Sequence, residues 1–259
     1  MPVKSLLKAL TEAGTGPRRR MAEAIKQGKV AVNGEIAESF TQPVNTESDC
    51  VTINGKAIEL KPDETICLML HKPASVVSTA SDEKGRRTAL DLLPGRYKKY
   101  RLYPVGRLDI DTTGLLLLTN DGDLTYRLTH PKFEHEKEYL LQIKKKLNIK
   151  DKSILERGVR LEDGLTHPAR VKEVSLDPFN YSITIHEGRK RQVHRMFEKL
   201  GHPLLALKRV RVGNLRLGNL QEGKVRRLST AETRALLGDR PGKSGKQPDD
   251  HVDNRRNQR

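Results

Sequence analysis

The stretch Pro104-Val-Gly-Arg-Leu-Asp-Ile-Asp-Thr-Thr-Gly-Leu-Leu-Leu-Leu-Thr-Asn-Asp-Gly122 decides how the rest of the chain is read. Its consecutive leucines, Leu115 to Leu118, form a short apolar run closed by the turn-formers Asn120-Asp121-Gly122. Such a run predicts a buried strand that ends in a tight turn. Asp109 stands on irregular backbone just ahead of that strand, between Gly106-Arg107 and the polar run Asp111-Thr112-Thr113. A loop anchored to a rigid element is a common place for a reactive side chain. The plain alternative is that Asp109 and Asp111 only close Asx turns leading into the strand.

Around this centre, 259 residues suit a small module joined to a larger domain. Lys and Arg number 49 against 33 Asp and Glu, a formal charge of +16. That excess points to a polyanionic partner. An anionic membrane would also satisfy it, but no long apolar segment or lipid-anchor motif is present. The N-terminal residues lack the basic-then-apolar pattern of a secretory leader, so a cytoplasmic protein is expected. Cys50 and Cys67, without a Cys/His cluster, argue against a disulfide framework or a zinc site. There is no Trp and there are few other aromatics, so no broad stacking platform for single-stranded nucleic acid is evident.

Toward the N-terminus, Leu6, Leu7, Leu10, Met21 and Ile25 fall at helical spacing on either side of a break at Ala13-Gly-Thr-Gly-Pro17. A helix stop and restart is predicted there. Arg18-Arg19-Arg20 begin the second helix, where positive charge opposes the helix dipole, so phosphate contacts explain them better than packing. Two β-branched runs then end in Asn33-Gly34 and Asn54-Gly55, strong hairpin signals. Lys61-Pro-Asp-Glu64 reads as a linker, and Ile66 to Leu70 as a core strand halted near Pro73. Beyond the central stretch, the pattern predicts a helix over Asp123–Thr129 capped by Asp123 and a strand over Lys137–Ile143. A helix at Leu147–Leu155 and further short strands follow, then a basic helix after Gly188 and a closing helix at Thr230–Leu237. Hairpin-length connections favour antiparallel pairing. The expected fold is therefore α+β, a largely antiparallel sheet carrying Asp109 in a cleft. Residues 238–259 are polar and basic with almost nothing apolar, and a disordered tail is expected.

The central stretch closely resembles the catalytic motif of RNA pseudouridine synthases, in the branch that modifies ribosomal RNA and carries an N-terminal RNA-binding module. The resemblance implies that Asp109 is the catalytic residue and that Arg107 fills the gap left when the target base is flipped out. Lys137-Glu138-Tyr139 matches the family's second motif, whose Tyr packs against the target base and assists proton removal; here that is Tyr139. Glu187 to Phe197 matches the third, in which a basic residue after Gln192-Val193 contacts the catalytic Asp. This chain has His194 where Arg or Lys is usual. Arg195 cannot stand in for it, because one helical residue turns a side chain by about 100°. A neighbouring carboxylate favours imidazolium, so His194 is expected to be raised in pKa and paired with Asp109, with Arg189 or Arg191 as the other sources of charge. Arg189 and Arg191 are also expected to contact RNA. The Lys72-Pro73 turn flanks the cleft in this family, so His71 and Lys72 are read as RNA contacts or as a plain surface turn.

Residues 3 to 60 resemble the small S-four-type alpha-L RNA-binding module, and this implies RNA contacts at Arg18, Arg19, Arg20, Lys26 and Lys29. The expected organisation is an RNA-binding module at 1–62, a catalytic domain at 63–237 and the tail at 238–259. The expected function is isomerisation of a specific uridine in ribosomal RNA, large-subunit RNA being favoured, by a monomer needing no metal or cofactor. Two other readings stay open. The charge and the module alone would suit a non-catalytic RNA-binding or ribosome-assembly factor. Asp109-Ile-Asp111-Thr112-Thr113 would suit a Mg²⁺-dependent Asp-x-Asp phosphatase, although there the apolar strand precedes the loop and here it follows.

Overall fold

The computed structural model describes residues 3–61 and 64–238. The centre of the expected linker and the expected disordered tail beyond Gly238 lie outside the described residues.

The first unit packs helix α1 (Leu6–Glu12) against α2 (Arg18–Lys26) over a four-stranded antiparallel sheet. The break between the helices forms as the sequence reads. Gly14 takes a positive φ, and the Thr15 hydroxyl donates to the Leu10 carbonyl (2.7 Å) to end α1. Val30–Val32 pairs with Glu35–Ile36 and Val51–Ile53 with Lys56–Ile58, each through an Asn-Gly turn. Both residues of each turn have positive φ, the geometry that matches strand twist. Leu6, Leu10, Met21, Ile25, Val30 and Val51 close a core belonging to this unit.

The second unit is a nine-stranded sheet. Its central order runs Arg170–Leu176, Phe179–Ile185, Lys137–Ile143, Leu204–Val212, Thr113–Thr119, Cys67–Lys72, Val225–Arg227. Every pairing is antiparallel except that of Leu204–Val212 with Thr113–Thr119. The leucine run is unbroken because both faces of this strand are covered. Leu116 and Leu118 enter the core shared with Leu141, Ile183 and Phe197 of helix α5 (Gln192–Lys199). Leu115 and Leu117 face the opposite core, closed by helices α3 (Gly122–Thr129) and α6 (Thr230–Leu236). Each buried leucine contributes about 1.5–3 kcal/mol to stability. Helix α4 (Ile149–Arg157) packs against Arg170–Leu176.

Helix α3 is capped by Asp121 rather than by Asp123. The Asp121 carboxylate accepts from the amides of Asp123 and Leu124 (2.9 and 3.0 Å), because the helix already begins at Gly122. Between Thr88 and Leu93 the chain makes a single 3₁₀ turn, Leu90–Leu92. His71 and Lys72 are buried, which corrects their reading as RNA contacts or a surface turn. His71 Nδ1 meets the Leu220 carbonyl at 2.6 Å, and the Lys72 ammonium donates to the Pro73 carbonyl at 2.8 Å.

Candidate active site

Asp109 sits in the loop between the antiparallel strands Tyr103–Val105 and Thr113–Thr119. Gly106 opens the loop with φ +72°, and the Thr112 amide donates to the Asp109 carbonyl to form a turn (3.1 Å). The loop is pinned from beneath. The Ser78 hydroxyl accepts from the Leu108 amide (3.1 Å) and lies 3.0 Å from its carbonyl, while the Ser75 amide donates to the Ile110 carbonyl (2.8 Å). Buried Leu108 and Thr112 flank a half-exposed Asp109. The backbone is fixed and the carboxylate faces a cleft of about 610 Å³.

The opposite wall comes from Lys137–Ile143 and Leu204–Val212. Tyr139 and Arg209 are direct neighbours across that pairing, and both are buried at the cleft. Arg209 Nε donates to the Leu115 carbonyl (2.8 Å), tying this wall to the leucine strand. Their closeness depends on Gly114, where φ is +104° and a Cβ would stand 2.2 Å from the Arg209 carbonyl oxygen. Lys137 also lines the cleft; burial, with Arg209 beside it, brings its pKa down to about 8. Burial likewise brings Lys72, behind the Asp109 loop, down to about 8, although Asp111 and Asp109 draw it upward.

The third wall is the start of α5. Gln192 is buried, and its amide donates to Glu187 (2.6 Å) while its oxygen accepts from the Arg189 amide (3.1 Å), bracing the turn before the helix. Arg189 is taken up in that brace, donating to Glu187 and to the carbonyls of Asp163, Gly164 and Leu165. Arg195 points away, as the helical rotation requires, onto Asp163 (2.9 Å). His194 points inward. Its Nδ1 is 4.0 Å from Asp109 Oδ2 and its Nε2 is 3.5 Å from Asp111 Oδ2, so it lies between the carboxylates without a short hydrogen bond to either. Arg191 pairs with Asp111 at 2.8 Å.

The expectation that His194 is raised in pKa is overturned. Burial and the Arg191 guanidinium lower it, and together they outweigh Asp111 and Asp109. Of the two arginines the sequence offers as other sources of charge, the fold brings Arg191 to Asp111 and turns Arg189 onto Glu187. Desolvation raises Asp111, but the hydrogen bond and charge of Arg191 outweigh it and hold Asp111 below the usual carboxylate range. Ligand atoms of Asp109, Asp111 and His194 lie within 4.8 Å of one another, and among the described residues these three could hold a metal ion.

Arg107 is exposed at the cleft mouth. Arg18, Arg19, Arg20, Lys26 and Lys29 are exposed on the first unit, away from the Asp109 cleft. Arg18 lines a second cavity, about 580 Å³, with Lys8, Arg101 and Tyr126; Lys8 there forms an ion pair with Asp123 (2.7 Å) at the start of α3. Sequence reasoning missed Arg209. The available signal was its place two residues after Leu207, in phase with the inward face of an alternating strand.

A largely antiparallel sheet thus carries a cleft that holds a half-exposed carboxylate among cationic side chains, in a chain that also has a small basic module. The sequence pattern of the RNA pseudouridylate synthases matches residues 66–199, and that of the S4 domain matches residues 5–49. The chain is 43% identical to ribosomal large subunit pseudouridine synthase B of Bacillus subtilis (strain 168), over 90% of this chain and 96% of that protein. It is 38% identical to an uncharacterized RNA pseudouridine synthase of Aquifex aeolicus (strain VF5), over 89% of this chain and 92% of that one. A crystal structure of a pseudouridylate synthase superposes with a TM-score of 0.63 at 33% identity, covering 90% of this chain and 99% of that chain. The chain belongs to the RNA pseudouridylate synthase family.

Proposed function

We propose that this protein isomerises one uridine to pseudouridine in ribosomal RNA, and that the RNA is that of the large subunit. The observation that carries this reading is Asp109, presented on a braced loop to a cationic cleft that Tyr139 and Arg209 close on the far side. The likeness to the Bacillus subtilis large-subunit enzyme, along nearly the full length of both chains, supports the choice of RNA. We place the work in the cytoplasm, with the ribosomal RNA; no helix among the described residues is long and apolar enough to cross a membrane. The proposed organisation is an RNA-binding module over 1–62 and a catalytic domain over 63–237, acting as a monomer.

In this reading the target nucleotide leaves its stack, Arg107 fills the gap, and the uracil ring lies against Tyr139. Asp109 acts as nucleophile or base on the ribose or uracil. The glycosidic C1′–N1 bond breaks, the uracil turns, C5 bonds to C1′, and the proton lost from C5 with the help of Tyr139 is balanced by the proton that N1 gains. Asp109 must be ionised for this step. Arg191 pairs with Asp111, and neutral His194 lies between the two carboxylates. Arg191 supplies positive charge where a metal would otherwise sit, so the reading assigns none. Arg18, Arg19, Arg20, Lys26 and Lys29 hold phosphates outside the cleft.

Mapping of pseudouridine in ribosomal RNA tests the proposal. Asp109→Asn is expected to lower the rate by at least about a thousandfold with RNA affinity retained, and EDTA is expected to leave the wild-type rate unchanged. Unaltered modification by Asp109→Asn would remove Asp109 from the chemistry.

A further inference from the structure

We infer that Tyr126, His130 and Phe133, with Lys132, form a stacking site for an unpaired nucleotide of the RNA, one step outside the cleft that holds Asp109. The inference deepens the RNA-modifying reading above and rests on it. Aromatic residues are scarce in this chain: six Tyr, four Phe and no Trp. Tyr97, Tyr139, Tyr181 and Phe197 are buried in the core. Tyr126 and Phe133 instead keep 48% and 39% of their surface exposed. They meet edge to face, ring centres 5.8 Å apart, and exposed His130 lies 4.8 Å from Tyr126.

The local backbone explains the grouping. Pro131 stops α3, and the 3₁₀ turn Pro131–Phe133 brings Phe133 back toward Tyr126. The Lys132 amide donates to His130 Nδ1 (3.2 Å), which orients the imidazole. The rings thus stand on a braced turn, not on a loose tip. The Lys132 ammonium lies 5.0 Å from the Tyr126 ring centre and 4.8 Å from that of Phe133. Cation–π contacts are weak at exposed sites, whereas every base offers a π-face and stacks well on an aromatic ring. A base entering here displaces the ammonium, which then reaches a phosphate.

Position makes RNA the occupant. Tyr126 lines the same cavity as Arg18 and Lys8, whereas Thr129, one turn further along α3, lines the Asp109 cleft. A strand held by the arginines of α2 and delivering a base to Asp109 passes along α3. Arg127 and Lys132, both exposed, add positive charge beside the rings. Flipping one nucleotide unstacks its neighbour, and these rings stand where that neighbour needs a new partner.

The test uses the full chain and a short unpaired oligoribonucleotide carrying 2-aminopurine, whose fluorescence is quenched on stacking. Wild type is expected to quench it. Replacing Tyr126 and Phe133 together, by Ala or by Leu, is expected to abolish quenching and weaken binding about 5- to 100-fold with the salt dependence kept. Lys132→Ala is expected to lower the salt slope by about one. The Leu pair keeps apolar bulk, and its melting temperature certifies the fold should the Ala pair unfold. Absence of quenching by wild type, or wild-type affinity in the Leu pair, overturns the inference. The readout needs no isomerisation: pseudouridine formation without quenching removes only the stacking site, and quenching without pseudouridine removes only the proposed function.

Discussion

At the scale of single residues, the cleft holds two kinds of titrating base with different consequences for pH dependence. His194 lies below its ordinary value of 6.5, so it is neutral through the neutral range and charges only in acid. Lys137 and Lys72, at about 8, lose their charge as pH rises past that point. Single-turnover pseudouridine formation is therefore expected to fall above about pH 8, in a limb that His194→Arg leaves in place and Lys137→Arg displaces, since guanidinium stays charged. Stability should move the other way. Between about 8 and 10.5 the unfolded chain binds more protons at Lys137 than the fold does, so stability rises with pH there. Urea midpoints alongside the rate profile check both signs, and Lys137→Met should flatten the rise. A limb removed by His194→Arg would restore the imidazolium pairing. Helix register made the position of His194 legible in the sequence, and a one-residue phase argument correctly turned Arg195 away. Its protonation state was not legible, because it depends on burial and on Arg191, which only the folded turn brings to the same carboxylates.

At the scale of elements, the fold was most legible where pattern and turn chemistry agreed. The leucine strand, both Asn-Gly hairpins and the closing helix occur where periodicity and capping residues put them. Strands Tyr103–Val105 and Val225–Arg227 escaped notice, being three residues long and rich in Pro or Arg. They exist because neighbours supply the ladder, so local propensity carries no trace of them. The cap of α3 was misplaced by two residues because Asp121-Gly122-Asp123 offers two caps, and the packing of Leu124 and Leu128 fixes which one is used. Gly114 is the element-level position most open to test. Gly114→Ala would combine an unfavourable φ with a collision against the Arg209 backbone, and a loss of at least about 2 kcal/mol is expected. Denaturant midpoints measure it. A loss below about 0.5 kcal/mol would mean the strands can separate at little cost.

At the scale of the whole molecule, the two units keep separate hydrophobic cores, and Lys8–Asp123 provides a polar link between them. The large positive charge was legible from composition alone, and so was its partner class. Its distribution required the fold: Arg189, Arg195 and Arg211 are engaged in internal ion pairs, whereas Arg18, Arg19 and Arg20 stand exposed at a helix start with no acid in the first turn. Replacing those three by Ala is expected to weaken RNA binding and reduce the salt slope by about 2 to 3, as released counterions would dictate. Titrations at several salt concentrations decide the matter; an unchanged slope would make the cluster a merely solvated face.

The passage of Gly114 against the Arg209 backbone bears on how such an enzyme could be given a new target. Main chain, not side chain, sets the spacing of the two strands there, so that spacing does not depend on the side chains outside the cleft. If the proposed RNA contacts hold, grafting a different first unit, or another turn in place of Pro131–Phe133, is expected to change which RNA is bound while the spacing of these strands stays as it is.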